Sequence, residues 1–330
     1  MDNNNLFKSI LKIFFLFFLL IFIKNSLATE KEEKFLISTS HPLASKVGKD
    51  ILLKGGNAVD AVIAAQMILN LVEPQSSGIG GGGFLLYFNK KDSTLNFYDG
   101  REKAPKNIKK EFFLDKKGNP LNFYDIAVGG KAIGVPGLVA MLDIAHKDHG
   151  LLDWESLFQP AMKLSSDGFR ISQRLHKSIK KDRYLYFFPE SKNYFYKKNI
   201  TYIKKIPKIK DEYQPKKRFE ILKNPDFSQT LKVISTNRSN GFYQGKIAKN
   251  IIYKIKNSPV KKGVMTLNDL KNYEAKKRYP LCGRYREYKV CSSPLPSAGG
   301  FSILQILSIL EEFELSRNTI KEDIHLILEA

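Results

Sequence analysis

The stretch Glu73-Pro-Gln-Ser-Ser-Gly-Ile-Gly-Gly-Gly-Gly-Phe84 decides how this chain is read. Five of its residues are glycine, Gly78 and Gly80 to Gly83. Glycine costs backbone entropy wherever it is placed, so such density marks either positive φ or a backbone that a ligand or strand approaches closely. Gly78-x-Gly80-x-x-Gly83 has the spacing G-x-G-x-x-G, but that motif binds dinucleotides only between a strand and a following helix. Here the order is inverted. Before the run, Asn57 is placed to cap a helix with Asp60 three residues on, and apolar residues continue to Val72. After it, Phe84-Leu-Leu-Tyr-Phe88 has the bulk and length of a buried strand. The phosphate loop G-x-x-x-x-G-K-[ST] fails too, because Phe84 and Leu85 stand where Lys and Ser/Thr are needed. The local reading is a helix-to-strand corner inside a packed core or, as readily, a backbone that meets a ligand.

Toward the N-terminus, Lys8 and Lys12 precede an unbroken apolar run, Ile13 to Ile23, and the small residues Ser26-Leu27-Ala28. This pattern predicts a signal peptide over 1–28 and an exported protein over 29–330, periplasmic or secreted. The apolar run falls short of the ~20 residues of a membrane span. An uncleaved anchor, extended back to Leu11, is the alternative, and either way the membrane is met only through this segment. The formal net charge is +21. Basic residues gather between Lys177 and Lys217 with tyrosines among them, a mixture also found in nucleic-acid binders. Export and the lack of any recognition motif argue against nucleic acid, so 177–220 is read as a solvated, insertion-like segment. The two cysteines, Cys282 and Cys291, flank a hairpin-like segment. With Arg286-Glu287 as the turn they face each other within disulfide range, and an oxidising compartment permits the bond. Arg-Glu is a poor two-residue turn, which counts against that register. Two isolated thiols do not make a metal site.

The remaining patterns predict a strand over Leu36–Ser40 and helices from Pro42, from Ala58, over 138–147 and from Asp153 to Ser166. A β-ribbon covers 84–89 and 95–98. Further helices are expected over 226–235 and 246–255, with a turn at Gly241–Gly245 between them, then over 267–273 and 301–313. Helices and strands are segregated rather than alternating, so the class is α+β.

Seven blocks, in order, resemble the large-subunit part of gamma-glutamyltranspeptidases. They are Asn57-Ala-Val-Asp-Ala-Val-Ile63, the glycine run, Asp99-Gly-Arg-Glu-Lys-Ala-Pro105, Gly134-Val-Pro-Gly137, Phe242-Tyr-Gln-Gly245, Met265-Thr-Leu-Asn-Asp-Leu270 and Pro296-Ser-Ala-Gly-Gly300. The resemblance implies an N-terminal-nucleophile hydrolase fold, an αββα sandwich that this chain would fill only in part. It implies self-cleavage of a precursor ahead of a threonine, which then attacks the gamma-glutamyl amide of glutathione or a related compound. The glutamyl group passes to water or an amino acid, with no cofactor or metal. The threonine needs its own free amine as base and donors for the oxyanion.

Within this chain the resemblance assigns one substrate residue, Arg101, as the guanidinium that grips the glutamyl α-carboxylate with two parallel hydrogen bonds. The plain alternative is a surface arginine paired with Glu102 or Asp99. The family's Thr-Thr-His motif does not occur in the 330 residues. The resemblance places it past Ala330, in a small subunit, so the chain alone is expected to be inactive. His41, His146, His149, His176 and His325 are scattered, and Ser76, Ser77 and Ser297 lack an evident base. Three readings stay open: the front part of such an enzyme, a decayed remnant, or an exported gamma-glutamyl binding protein. A poly-gamma-glutamate depolymerase or acylase is a further relative of the same fold.

Overall fold

The structure, a computed structural model, describes residues 35–199, 212–315 and 319–330. The segment read as a signal peptide, 1–28, and the middle of the basic stretch lie outside the described residues. The described residues from Thr39 onward form one unit. Helix α1 (Pro42–Leu53) begins at a proline, and His41 caps it by accepting the Leu43 N–H at 3.2 Å. The strand expected over Leu36–Ser40 does not form, as no partner strand pairs with it among the described residues. Helix α2 (Ala58–Val72) opens on the predicted capping box between Asn57 and Asp60. Val59, Ile63, Met67, Ile68 and Leu71 are all buried, so this helix is enclosed on most sides. Asp60 is buried as well, and its carboxylate also accepts the N–H groups of Leu151 and Leu152 at 3.1 and 3.3 Å.

The chain continues through β1 (Gly83–Asn89), β2 (Thr94–Gly100), the short α3 (Phe123–Ala127), α4 (Leu138–His149) and α5 (Gln159–Asp167). Then come β3 (Phe169–Arg170), α6 (Gln173–Lys181), α7 (Pro189–Phe195), β4 (Tyr196–Asn199), β5 (Glu212–Pro215) and β6 (Ile221–Leu222). The last part holds α8 (Pro225–Tyr243), α9 (Gly245–Lys256), α10 (Leu267–Lys271), β7 (Lys276–Arg278), β8 (Leu281–Tyr285), β9 (Tyr288–Ser292), α11 (Ala298–Leu310) and α12 (Ile320–Glu329). Among the described residues the largest sheet has three antiparallel strands in the order β1-β2-β7. Helix α4 packs across β1 and β2, α2 packs beside α4, and α1 packs on α2. A helical layer thus lies on the sheet, as an α+β class requires.

Two expectations need correction. The expected turn at Gly241–Gly245 is helical as far as Tyr243, and only Gln244 and Gly245 break the chain before α9. The real kink sits earlier, at Arg238, whose φ of 53° interrupts α8. Positive φ, one of the two explanations offered for the glycine run, is absent as well, since none of Gly78 to Gly83 adopts it. Close approach of backbone explains Gly82, where an added Cβ would run into the Gly100 carbonyl oxygen.

Helix α11 packs on the β8–β9 hairpin. Phe301, Ile303, Ile306 and Ile309 on it are exposed, as are Ile324 and Ile327 on α12. No described helix is long and apolar enough to cross a membrane.

Candidate functional site

The glycine run brings three backbones together. A Cβ on Gly82 would lie 2.3 Å from the Gly100 carbonyl oxygen. One on Gly137 would lie 2.1 Å from that same oxygen and 2.1 Å from the Tyr273 hydroxyl. The Gly81 carbonyl accepts the N–H groups of Gly137 at 2.9 Å and Leu138 at 3.1 Å, satisfying donors that the first turn of α4 leaves without helical partners. The corner therefore ties the start of β1, the end of β2 and the N-terminus of α4 into one rigid junction. Beside it lies a pocket of about 450 Å³, lined by Gln66, Ser77, Gly81, Glu102, Leu138 and Met141 among others.

Arg101 follows directly on this junction, one residue past β2. Its N–H donates to Asp99 Oδ1 at 2.8 Å, and its carbonyl accepts from the Tyr273 hydroxyl at 2.8 Å. Asp99 is buried and is held in turn by Arg278 Nε at 2.6 Å. Burial, and after it the negative charges of Asp99 and Glu102, pushes the Tyr273 phenol up to about 12, so it remains a donor. The Arg101 side chain, by contrast, is 62% exposed and among the described residues pairs with Glu102, with Nε 3.6 Å from Oε2. Asp99 thus takes the backbone of Arg101, not its guanidinium, and the Glu102 contact is loose. A fixed backbone carrying an open, bidentate donor suits capture of a carboxylate.

Sequence reasoning singled out Arg101 but not Asp99, Tyr273 and Arg278, which surround it. Arg278 sits on Lys276–Arg278, a strand with no apolar residue for alternation to reveal. Tyr273 carried no motif beyond its place just after the Met265–Leu270 block.

The serines beside the glycines are structural. Ser77 Oγ donates to Asn70 Oδ1 at 2.7 Å and accepts from Gln66 Nε2 at 2.6 Å. Ser76 Oγ accepts from Arg174, whose other arm pairs with the buried Glu73 at 2.6 Å. Neither has a histidine as hydrogen-bond partner. His149 Nε2 lies 2.8 Å from the Tyr98 hydroxyl, which donates to Asp148 at 2.6 Å, with no serine in that group. Among the described residues no three His, Cys, Asp or Glu side chains gather as a metal site.

Cys282 and Cys291 are register partners across β8 and β9, and their sulfurs are bonded. The unfavourable turn is held from outside. Arg286 has φ of 54°, its N–H donates to the Glu311 carboxylate at 2.8 Å, and its Nη2 donates to the Phe313 carbonyl at 2.9 Å.

Known proteins share this fold and resemble this sequence. Residues 44–330 match the family described as Gamma-glutamyltranspeptidase. The chain is 35% identical over 286 residues to the glutathione hydrolase proenzyme of Bacillus subtilis strain 168, covering 87% of this chain and 46% of that protein. It is 35% identical over 284 residues to the glutathione hydrolase proenzyme of Escherichia coli K12, covering 86% of this chain and 46% of the other. It thus spans about half the length of the curated relatives it matches. The solved gamma-glutamyltranspeptidase of Helicobacter pylori superposes with TM-score 0.79 at 36% identity, covering 89% of this chain and 80% of that one. The Bacillus anthracis transpeptidase CapD superposes with TM-score 0.66 at 28% identity, covering 89% of this chain and 88% of that one. The fold is that of the N-terminal-nucleophile hydrolases. The chain belongs to the gamma-glutamyltranspeptidase family.

Proposed function

We propose that this chain supplies the large-subunit part of a gamma-glutamyltranspeptidase, an enzyme that cleaves gamma-glutamyl amides such as glutathione. The observation that carries the reading is Arg101, whose backbone is pinned at both N–H and carbonyl while its guanidinium stays open to a ligand. Arg101 holds the glutamyl α-carboxylate. A threonine that begins a Thr-Thr-His segment, a sequence absent from these 330 residues, attacks the gamma-carbonyl. Its own α-amine takes the hydroxyl proton, the substrate amine leaves, and a glutamyl ester forms. Water or an amino acid then takes the glutamyl group. The exposed apolar faces of α11 and α12 support a partner segment that covers them. The Lys8 to Ala28 pattern supports export, and export supports an oxidised Cys282–Cys291 pair.

The test measures p-nitroaniline release from a gamma-glutamyl anilide. The chain alone should be inactive, and the chain produced together with a Thr-Thr-His segment should turn over. Activity of the chain alone, or inactivity of a folded assembly of the two, overturns the reading.

A further inference from the structure

The Met265–Leu270 block carries no catalytic role in this account, yet it reaches the Arg101 loop at both ends. Thr266 and Asp269 form a capping box at the start of α10, and Asp269 Oδ1 also accepts the Lys106 N–H at 2.9 Å. Just past α10, the Tyr273 hydroxyl donates to the Arg101 carbonyl at 2.8 Å. Tyr273 is buried and stacks on Tyr243, with ring centroids 5.6 Å apart and planes 5° from parallel. Tyr243 donates in turn to the Pro136 carbonyl at 2.8 Å. On its other contacts the Tyr273 ring carries the Lys103 ammonium 5.0 Å from its centroid. Gly137 leaves the space that the Tyr273 hydroxyl occupies. Segments around residues 101, 137 and 243 therefore meet around the Tyr273 side chain.

That convergence is unusual for a residue whose side chain is mostly in water. The side chain of Arg101 is free to meet water, whereas a buried phenol is committed to its carbonyl. We propose that Tyr273, supported by Tyr243, is a positioning residue that sets Arg101 for the α-carboxylate of the substrate. This rests on the assignment of Arg101 to substrate binding. Positioning of a group that binds ground state and transition state alike moves KM and leaves kcat nearly unchanged.

Tyr273→Phe removes one oxygen and keeps the stack. In the full chain assembled with its threonine-bearing segment, KM for a gamma-glutamyl anilide should rise about tenfold, equivalent to ~1.4 kcal/mol. The value of kcat should stay within about twofold and the melting midpoint should stay close to the parent's, as expected when only ligand positioning is lost. In an Arg101→Ala background the same substitution should leave KM nearly unchanged, because nothing remains to be positioned. An equal KM effect in both backgrounds, or none while Arg101→Ala is impaired, overturns the role of Tyr273 and spares that of Arg101. A normal Arg101→Ala enzyme overturns both. The full chain alone gives an independent readout through tryptic cleavage at the Arg101–Glu102 bond, followed by mass spectrometry. Tyr273→Phe should speed that cut by about threefold or more relative to cuts elsewhere, as local opening becomes easier. An unchanged rate shows that the phenol does not hold the loop.

Discussion

Replacing Arg238 by glycine should harm the fold less than replacing it by alanine, the reverse of the order inside an ordinary helix. There glycine is worse by about 1 kcal/mol. Arg238 lies within α8 at φ 53° and ψ −146°. That region is open essentially to glycine and costs other residues ~1–3 kcal/mol. The side chain holds the backbone there. Its Nε lies 2.6 Å from Asp143 Oδ1, its Nη2 lies 3.1 Å from His146 Nδ1, and its guanidinium sits 4.6 Å over the Trp154 ring. Trp154 Nε1 donates to the Ile234 carbonyl at 3.3 Å, the acceptor that an unbroken helix would pair with Arg238. Both substitutions strip the same contacts. Breaking a buried pair costs ~3–5 kcal/mol, but Arg238 is 31% exposed and Asp143 keeps Ser239 and Lys147, so about 2–3 kcal/mol is expected. Alanine keeps the strained backbone with nothing to hold it. Glycine relieves the strain but adds roughly 1 kcal/mol of unfolded-state entropy. The glycine variant should therefore be more stable than the alanine variant by about 1 kcal/mol. Urea denaturation followed by fluorescence reports directly, because Trp154 is the sole tryptophan. An alanine variant as stable as the glycine one refutes the reasoning.

The glycine run offers a paired prediction. Gly82→Ala drives a Cβ into the Gly100 carbonyl oxygen and should cost about 3 kcal/mol or more, whereas Gly80→Ala meets nothing within 4 Å and should change stability by less than ~0.5 kcal/mol; equal urea midpoints for the two would reject close approach as the reason for Gly82. Burial pushes the Asp143 carboxyl up, but hydrogen bonds from Ser239, Arg238 and Lys147 more than offset this and hold it below its usual 3.8. A depressed carboxylate stabilises above its unfolded pKa and loses that contribution as pH falls through the folded one, so the deficit of Asp143→Asn should be full at pH ~7 and shrink below pH ~4; a deficit that stays constant across that range contradicts the assignment. Thiol titration of the unreduced, denatured protein should find no free thiol, and Cys282→Ser should cost about 2–3 kcal/mol; two titratable thiols would show that the pair is not formed.

Much of the fold was legible because its signals are local. The Asn57–Asp60 capping box, the bulky strand after the glycines, and the register Cys282↔Cys291 all depend on residues close in sequence. The failures are tertiary. Lys276–Arg278 forms a strand because β2 offers an edge and Asp99 offers a counter-charge, neither of which its own composition shows. The kink at Arg238 answers to Asp143 and Trp154, which lie far away in sequence. Helical geometry then carries past the point where Gly241 suggested a turn. Arg101 was singled out through its block, but its anchoring was not, since Tyr273 lies 172 residues further along. Even the glycines gave only a choice between positive φ and crowding, which at Gly82 its neighbour Gly100 decides.

The central claim is that Arg101 grips the α-carboxylate of a gamma-glutamyl substrate. Its most direct test is kcat/KM of the assembled enzyme with Arg101→Ala, measured on a gamma-glutamyl anilide. Loss of one partner of a desolvated charge pair costs ~2–5 kcal/mol, which predicts a fall of about 30-fold to several thousandfold. A specificity constant equal to the parent's would contradict the claim.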